Sequence, residues 1–235
     1  MKNKIILTLT IVFLNFFLIG QSNAQDQFSF NVSEILITED GNLFKGYNGG
    51  EAFTNDGVSI TAENFEYNKI TNILIAKKNV QLVDKKKNII INAEEISYLK
   101  NEEKVFAIGN VKLVDKNKNI IIKTEEISYL KNEEKIFAKG DVQLEDKTKD
   151  IFINANQISY LKNEGKIVAE GNVVLIDKSK DITINTIKIT YLKNINKIYS
   201  EGETKAYIGS KYKFFSKDVT FLKDEMKLYS SKKTI

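Results

Sequence analysis

Apolar and polar positions alternate along most of this chain, and the alternation recurs every 31 residues. In Lys104–Asp115 Val105, Ala107 and Val111 share one parity, whereas the opposite parity carries Asn110 and Lys112. A period of two with many β-branched residues predicts a β-strand that exposes one face. The copies one and two periods later show the same alternation, so we predict one such strand in every repeat.

A second strand follows a polar turn in every repeat, and its hydrophobic pattern changes phase half-way along. In Ile120–Leu130, Ile122 lies on one parity and Tyr129 on the other. One face of a regular strand cannot hold both residues. We therefore predict a bulge or corner near the Glu125–Glu126 pair, which would curve the whole sheet into a trough.

The 31-residue unit runs through most of the chain. Its four most similar copies are residues 76–106, 107–137, 138–168 and 169–199, and degenerate copies precede and follow them. Because one unit cannot bury its own apolar face, such units stack on their neighbours, and atypical terminal units act as caps. We predict an all-β domain over residues 25–235, with roughly a dozen antiparallel strands built from two-strand units.

Residues 1–24 have the pattern of a secretory signal and are not expected in the fold. Lys2 and Lys4 precede an apolar stretch, and the small residues of Ser22–Ala24 form a cleavage site. The apolar stretch is shorter than the roughly 20 residues of a spanning helix. We predict cleavage before Gln25, and the alternative is an uncleaved membrane anchor.

The residue inventory argues against several functions. All 35 basic residues are lysines, and 31 acidic residues nearly balance them. A nucleic-acid-binding surface would be net basic and often uses arginine, so nucleic acid is not an expected partner. The chain has no His and no Cys, so the usual nucleophile–base pairs cannot form, and we expect neither an enzyme nor catalytic residues.

No cofactor or metal site is predicted. The acidic turns, such as 146–150 and 177–181, lack the spacing of calcium-binding loops and contain lysines. We interpret them as solvated turns. The tyrosines that recur every 31 residues could stack on sugars, but cross-strand packing is the preferred interpretation.

The apolar face allows either a core filled by its own side chains or a lengthwise groove for acyl chains. Alanines, and a glycine in most repeats, favour an underfilled interior, because strand glycines often mark a bend or a close approach. The two interpretations stay open at this point. The candidate lipid-groove residues are Val80, Leu82, Ile91, Val111, Leu113, Ile122, Val142, Leu144, Ile153, Val173, Leu175 and Ile184.

The repeated pattern A-x-G-N/D-V-x-L-x-D, followed by I-x-A/T-x-x-I-x-Y, resembles the OstA-like domain of bacterial lipopolysaccharide transport. That family includes the periplasmic bridge protein LptA and the N-terminal region of the outer-membrane assembly protein LptD. The first half of the pattern stands at residues 107–111, 138–142 and 169–173, and the second half at 91–98 and 153–160. The likeness covers nearly all of the chain after the signal.

The resemblance implies a trough-shaped, OstA-like β-jellyroll in the periplasm, with an association at the outer membrane. Its apolar groove would hold the lipid A acyl chains of lipopolysaccharide, so that the protein acts as a bridge or adaptor in lipopolysaccharide transport and outer-membrane assembly. A free-standing bridge and the N-terminal part of a barrel-containing assembly protein are both compatible with it. The alternative function is a structural or adhesin-like β-repeat protein with a self-filled core and no ligand.

The resemblance also implies partners. Other jellyroll-containing transport proteins would join by edge-strand pairing, and a head-to-tail homo-oligomer is a further option. Unpaired edge strands are templates for such addition. The candidate edges lie around residues 28–37 and 212–229.

Overall fold

Antiparallel β-strands make up nearly all of the structure, a computed structural model that describes residues 28–209 and 211–230. Within those residues the helical elements are two short 3-10 turns, Lys100–Glu102 and Lys193–Ile195. The predicted signal, residues 1–24, and its cleavage site lie outside the described residues. The strands are β1 (Ser29–Thr38), β2 (Leu43–Phe53), β3 (Val58–Ala62), β4 (Asn64–Asn68), β5 (Ile73–Asp84), β6 (Ile89–Leu99), β7 (Lys104–Asp115), β8 (Ile120–Leu130), β9 (Lys135–Asp146), β10 (Ile151–Leu161), β11 (Lys166–Asp177), β12 (Ile182–Leu192), β13 (Lys197–Glu201), β14 (Glu203–Ile208), β15 (Tyr212–Lys217), β16 (Val219–Leu222) and β17 (Lys227–Ser230).

The strands form one antiparallel sheet that follows the order of the chain. From β5 to β12 each strand pairs with the one before it and the one after it, and each of these strands is 11 or 12 residues long. Two such strands and their turns account for 31 residues. The predicted all-β, repeat-built antiparallel fold is confirmed.

A bulge in the middle of the long strands bends this sheet. Between β7 and β8 the pairing passes from Ile108–Glu126 to Val111–Thr124, so Gly109 and Asn110 lie opposite the single residue Glu125. Gly109 and Asn110 have φ angles of +79° and +48°, and this backbone conformation changes the direction of the strand. The predicted corner at Glu125 is confirmed, and Gly109 belongs to it rather than to the inner face.

The bend divides the sheet into two facing layers. The tyrosine layer contains the strand halves that carry the repeated tyrosines, such as 104–108 and 126–130. The aspartate layer contains the other halves, such as 111–115 and 120–124, which end or begin at an aspartate turn. Apolar side chains from both layers form one buried core. Five tyrosines lie in it with at most 1% of their surface exposed, Tyr67, Tyr98, Tyr129, Tyr160 and Tyr191, which confirms their interpretation as packing residues.

The terminal units differ from the central ones, and they explain why the structure has 17 strands rather than roughly a dozen. There the bend interrupts the strand itself, at Glu63, Gly202 and Asp218. At the N-terminal end the ring of Phe28 lies 5.3 Å from that of Tyr67 and 5.6 Å from that of Tyr98, centroid to centroid. This aromatic cluster fills the N-terminal end of the interior.

Candidate functional site

All twelve predicted lipid-groove residues lie on the inner face of the aspartate layer. Their side chains are at most 2% exposed. Cross-strand pairs connect the leucines and isoleucines among them into a continuous row in which the two residue types alternate, as in Leu113–Ile122 and Leu144–Ile153. The valines lie one step closer to the bend. The structure therefore brings the predicted residues together. Lipid contact at these positions stays a prediction.

The wall that faces this row was not predicted as part of the site. It belongs to the tyrosine layer and is formed by alanines and isoleucines that are at most 2% exposed. The phase change in the even-numbered strands was the available signal, because a strand that bends at the change turns both sets of apolar residues inwards. The members are Ala76, Ile96, Ala107, Ile127, Ala138, Ile158, Ala169 and Ile189.

Cavities open beside the row at the bend. Three of them recur along the stack, with volumes of about 420–460 Å³. Val80, Val111 and Val142 each border one of these cavities, and the remaining lining is largely polar, with Asn92 and Asn154 as examples. The bend thus exposes a polar groove, while the apolar side chains of the interior beneath it are closed off from solvent.

The opposite margin, where the turns of the two layers face each other, is the mouth of the trough. A lysine that begins a tyrosine-layer turn reaches across it to an aspartate that ends a strand of the aspartate layer. The Nζ–Oδ2 distances are 3.5 Å for Lys131–Asp84, 3.3 Å for Lys162–Asp115, 2.7 Å for Lys193–Asp146 and 3.0 Å for Lys223–Asp177. We call these four ion pairs the mouth ladder.

Each aspartate of the mouth ladder uses its two oxygens differently. Oδ1 of Asp115 accepts a hydrogen bond from the backbone N–H of Lys118 in its own turn, at 3.1 Å, while Oδ2 faces the lysine of the other layer. The same division recurs at Asp146 and Asp177. Both are fully buried, so their interpretation as part of solvated turns is wrong.

The two partners of each pair are distant in sequence. Lys162 follows Asp115 by 47 residues, or one and a half repeats, and Lys131 follows β8 whereas Asp84 ends β5. The layers are therefore offset by three strands where they meet. Each ion pair fastens one layer to a different part of the other, and the ladder closes the mouth over most of its length.

The N-terminal end of the mouth carries a denser cluster of charges. Lys100 contacts Asp56 at 3.1 Å, and Lys131 contacts Glu103 at 2.8 Å. Burial acts to raise the pKa of Asp56. Hydrogen bonds from Thr54 and Lys100 and the nearby lysine charges outweigh it and lower the pKa to about 2.

The tyrosine hydroxyls lie beside the mouth ladder. Burial, and then the charges of Asp115 and Asp146, raise the pKa of Tyr160 above its usual 10. Burial, and then the charges of Asp146 and Asp177, raise the pKa of Tyr191. These phenols are therefore neutral at any physiological pH, and the ladder holds alternating lysine and aspartate charges over a neutral aromatic layer.

The edge strands lie at the two ends of the stack, as predicted. Among the described residues β1 pairs only with β2, and β15 and β17 each pair with one neighbour. Ile35, Leu36 and Ile37 on β1 are about half exposed, between 47% and 51%. At the other end Tyr212 is 69% exposed. Both ends thus have unpaired backbone groups next to exposed apolar side chains.

Comparison with solved structures finds likenesses to this chain. No protein-family model and no curated protein matches the chain. A solved structure that resembles it is LptH from Pseudomonas aeruginosa, described as the LptA-homologous periplasmic component of the conserved lipopolysaccharide transport device. The TM-score is 0.45 and the identity 12%, over 51% of this chain and 86% of LptH. We draw no functional conclusion from this likeness. No helix in the described part of the chain is long and apolar enough to cross a membrane.

Proposed function

We propose that this protein is a periplasmic, non-enzymatic carrier that holds the acyl chains of lipopolysaccharide between its two layers. The observation that carries the proposal is the continuous apolar row of the aspartate layer, from Ile60 in β3 to Ala206 in β14. Ten strands contribute to it, so it is about 43 Å long. An uninterrupted apolar path of this length suits extended hydrocarbon chains.

The mouth gives acyl chains a route to this path. Opening it separates side-chain ion pairs such as Lys162–Asp115 but breaks no strand-to-strand hydrogen bond. The lysines released from the ladder would then face the anionic headgroup, where the acyl chains enter. The motif of the OstA-like domain and the secretory signal support a place in lipopolysaccharide transport.

The edge strands supply the second half of the proposal. A related jellyroll domain, or a second copy of this chain, would add its own edge to β1 or to β15 and β17. The apolar row would then continue from one domain into the next. In that role the protein is a bridge or adaptor on the way to the outer membrane.

A structural repeat protein with a self-filled core is the second candidate. The observation that favours it is the packing of the interior, where the predicted groove residues are at most 2% exposed. In this case the mouth ladder would be a permanent seam, and no ligand would enter.

Tyrosine fluorescence separates the two candidates, because the chain has no tryptophan and five of its ten tyrosines line the interior. We would add lipid A with brominated acyl chains to the exported protein. Acyl chains in the interior should quench about half of the tyrosine emission, through contact with residues such as Tyr129 and Tyr160. Unlabelled lipid A is the control for indirect effects.

A variant with phenylalanine at Tyr98, Tyr129, Tyr160 and Tyr191 tests where the quenching occurs, since it removes most of the interior emission and keeps the rings. Its remaining fluorescence should be nearly insensitive to the brominated chains. A native protein that stays unquenched and free of bound lipid in native mass spectrometry would leave the self-filled structural protein as the function.

A further inference from the structure

The outer face of the tyrosine layer carries two parallel rows of side chains that run across the strands. In the first row lysines alternate with leucines, as in the cross-strand pairs Lys104–Leu130 and Lys166–Leu192. Its lysines are Lys104, Lys135, Lys166, Lys197 and Lys227, and its leucines are Leu99, Leu130, Leu161, Leu192 and Leu222. We call this row the lysine stripe.

The second row lies one step closer to the bend. It alternates large apolar or aromatic residues with serine or threonine, and most of its members are half-buried. Its members are Ile75, Ser97, Phe106, Ser128, Phe137, Ser159, Val168, Thr190, Tyr199, Thr220 and Tyr229. Together the rows form a strip with a charged side and a partly aromatic side.

The lysine stripe is regularly spaced. Its lysines occur on every second strand, so successive lysines are about 9.6 Å apart and the five span about 38 Å. The leucines between them are half-buried, so their side chains are held in place by the neighbouring strands. A ligand that binds to all five lysines must be extended, and its negative charges must recur at the spacing of the lysines.

The lysines of the stripe form no ion pairs within the part of the chain that the structure describes. Among the described residues none of the five lysines has a carboxylate within 4 Å, whereas the row beside the bend pairs its own charges, as in Lys77–Glu95 at 3.1 Å. The ammonium group of Lys104 instead lies 4.4 Å from the ring centre of Phe106, and that of Lys197 lies 4.7 Å from the ring of Tyr199. In these two cases the ammonium group lies over the neighbouring ring without a carboxylate partner, so it stays available to an anion.

We propose that the lysine stripe binds an extended anionic glycan that lies across the strands. A β-1,4-linked disaccharide advances by about the distance between alternate strands, so an acidic sugar would meet a lysine at each step. Apolar members of the second row, such as Phe137 and Val168, offer contact surface to sugar rings, and the hydroxyls of residues such as Ser128 can donate and accept hydrogen bonds. This site is separate from the interior and independent of the carrier function.

A membrane surface fits this face less well. Glu102, Glu133 and Glu164 are exposed in the turns at one side of the stripe, and Glu126 and Glu201 are exposed on the other. A planar anionic bilayer would meet these carboxylates together with the lysines. A single chain laid along the stripe runs between these two lines of carboxylates, which is why we commit to the glycan.

Binding of defined oligosaccharides to the exported protein tests the proposal. The probe is fluorescently labelled β-1,4-oligomannuronate, and neutral β-1,4-oligomannoside of equal length is the matched ligand without carboxylates. We expect the affinity for oligomannuronate to rise with length up to about ten sugars, which is two for each lysine at the strand spacing. It should weaken with added salt.

Variants locate the site. Replacing both Lys135 and Lys166 by glutamine should weaken binding about fivefold, since each exposed contact contributes roughly 0.2–1 kcal/mol. The arginine versions should keep it. Lys112→Gln with Lys123→Gln removes two exposed lysines from the outer face of the aspartate layer and should leave the affinity within about twofold.

Two results would overturn the proposal. Equal weakening by both glutamine pairs would show non-specific attraction to surface charge. The protein could instead bind vesicles that contain anionic phospholipid, in a way that depends on Lys135 and Lys166, and have no affinity for oligomannuronate. That result would assign the stripe to a membrane.

Discussion

Removal of one lysine from the mouth ladder tests whether buried ion pairs close the mouth in solution. The side chain of Lys162 is 4% exposed and that of Asp115 is fully buried, with 3.3 Å between the charged atoms. Lys162→Met keeps the apolar stem in place and leaves the aspartate without its counter-charge. Breaking a buried pair in this way costs about 3–5 kcal/mol. Because Asp115 keeps the hydrogen bond from Lys118, we expect a loss near the lower end, about 3 kcal/mol.

The double variant Lys162→Met with Asp115→Asn removes both charges. The asparagine can still accept the hydrogen bond from its own turn, and no buried charge is left without a counter-charge. We expect it to lose at most about 1 kcal/mol, so it should be about 2 kcal/mol more stable than Lys162→Met alone, which shows that the two sites are coupled. Lys188→Met is the matched control, since Lys188 is one-third exposed in its ion pairs with Glu170 and Glu201 and its removal should lower stability far less than that of Lys162.

Urea unfolding followed by far-ultraviolet circular dichroism measures these differences. The midpoints are compared only where the dependence of the unfolding free energy on urea is unchanged, because repeat proteins can unfold in parts. A loss below about 1 kcal/mol for Lys162→Met, equal to that of Lys188→Met, would refute the reasoning. The mouth would then be hydrated, and the ladder would be a set of surface ion pairs.

Three further predictions follow from the bend, the N-terminal cluster and the mouth. The pKa of Asp56 is lowered to about 2 from 3.8. Asp56 therefore contributes about 2 kcal/mol to the stability of the folded state above pH 4, and this contribution is lost as the pH falls towards 2. In Asp56→Asn, stability should depend less steeply on pH below pH 4. Gly140→Ala should cost more than Gly41→Ala in urea unfolding: both glycines have φ near +89°, but an added Cβ at Gly140 would lie 2.9 Å from Cβ of Glu125 and at Gly41 would touch nothing. We expect about 3 and about 1 kcal/mol respectively. Phe28→Ala should cost about 3 kcal/mol and raise hydrogen exchange in β1 first, because Phe28 packs edge-on against two buried tyrosines.

Much of the fold could be predicted from the sequence because strand formation and bending leave local signals. The period of two marks each strand, and the change of phase between Ile122 and Ile127 marks the bend within a few residues. The repeat then implies the order of strands, since short polar turns connect antiparallel neighbours. The terminal units were harder, because their bends interrupt the strands and their patterns are degenerate.

The mouth ladder could not be predicted in the same way. The aspartates and lysines recur at the 31-residue step, and this constancy among variable turn residues was the available signal. Their pairing, however, depends on the three-strand offset between the layers. That offset results from how two bent sheet halves pack and twist, which no local pattern encodes.

The energetics of the mouth connect the closed interior to the proposed carrier function. Separating the ladder returns lysines and aspartates to water, so hydration offsets much of the lost attraction. The larger cost is the exposure of apolar side chains such as Leu113 and Ile122, at roughly 25 cal/mol for each Å². An acyl chain that enters covers the same surface and is itself buried at roughly 0.8 kcal/mol per CH₂ group. The closed interior is therefore the expected state of an empty carrier, and the lipid supplies the free energy that keeps the two layers apart.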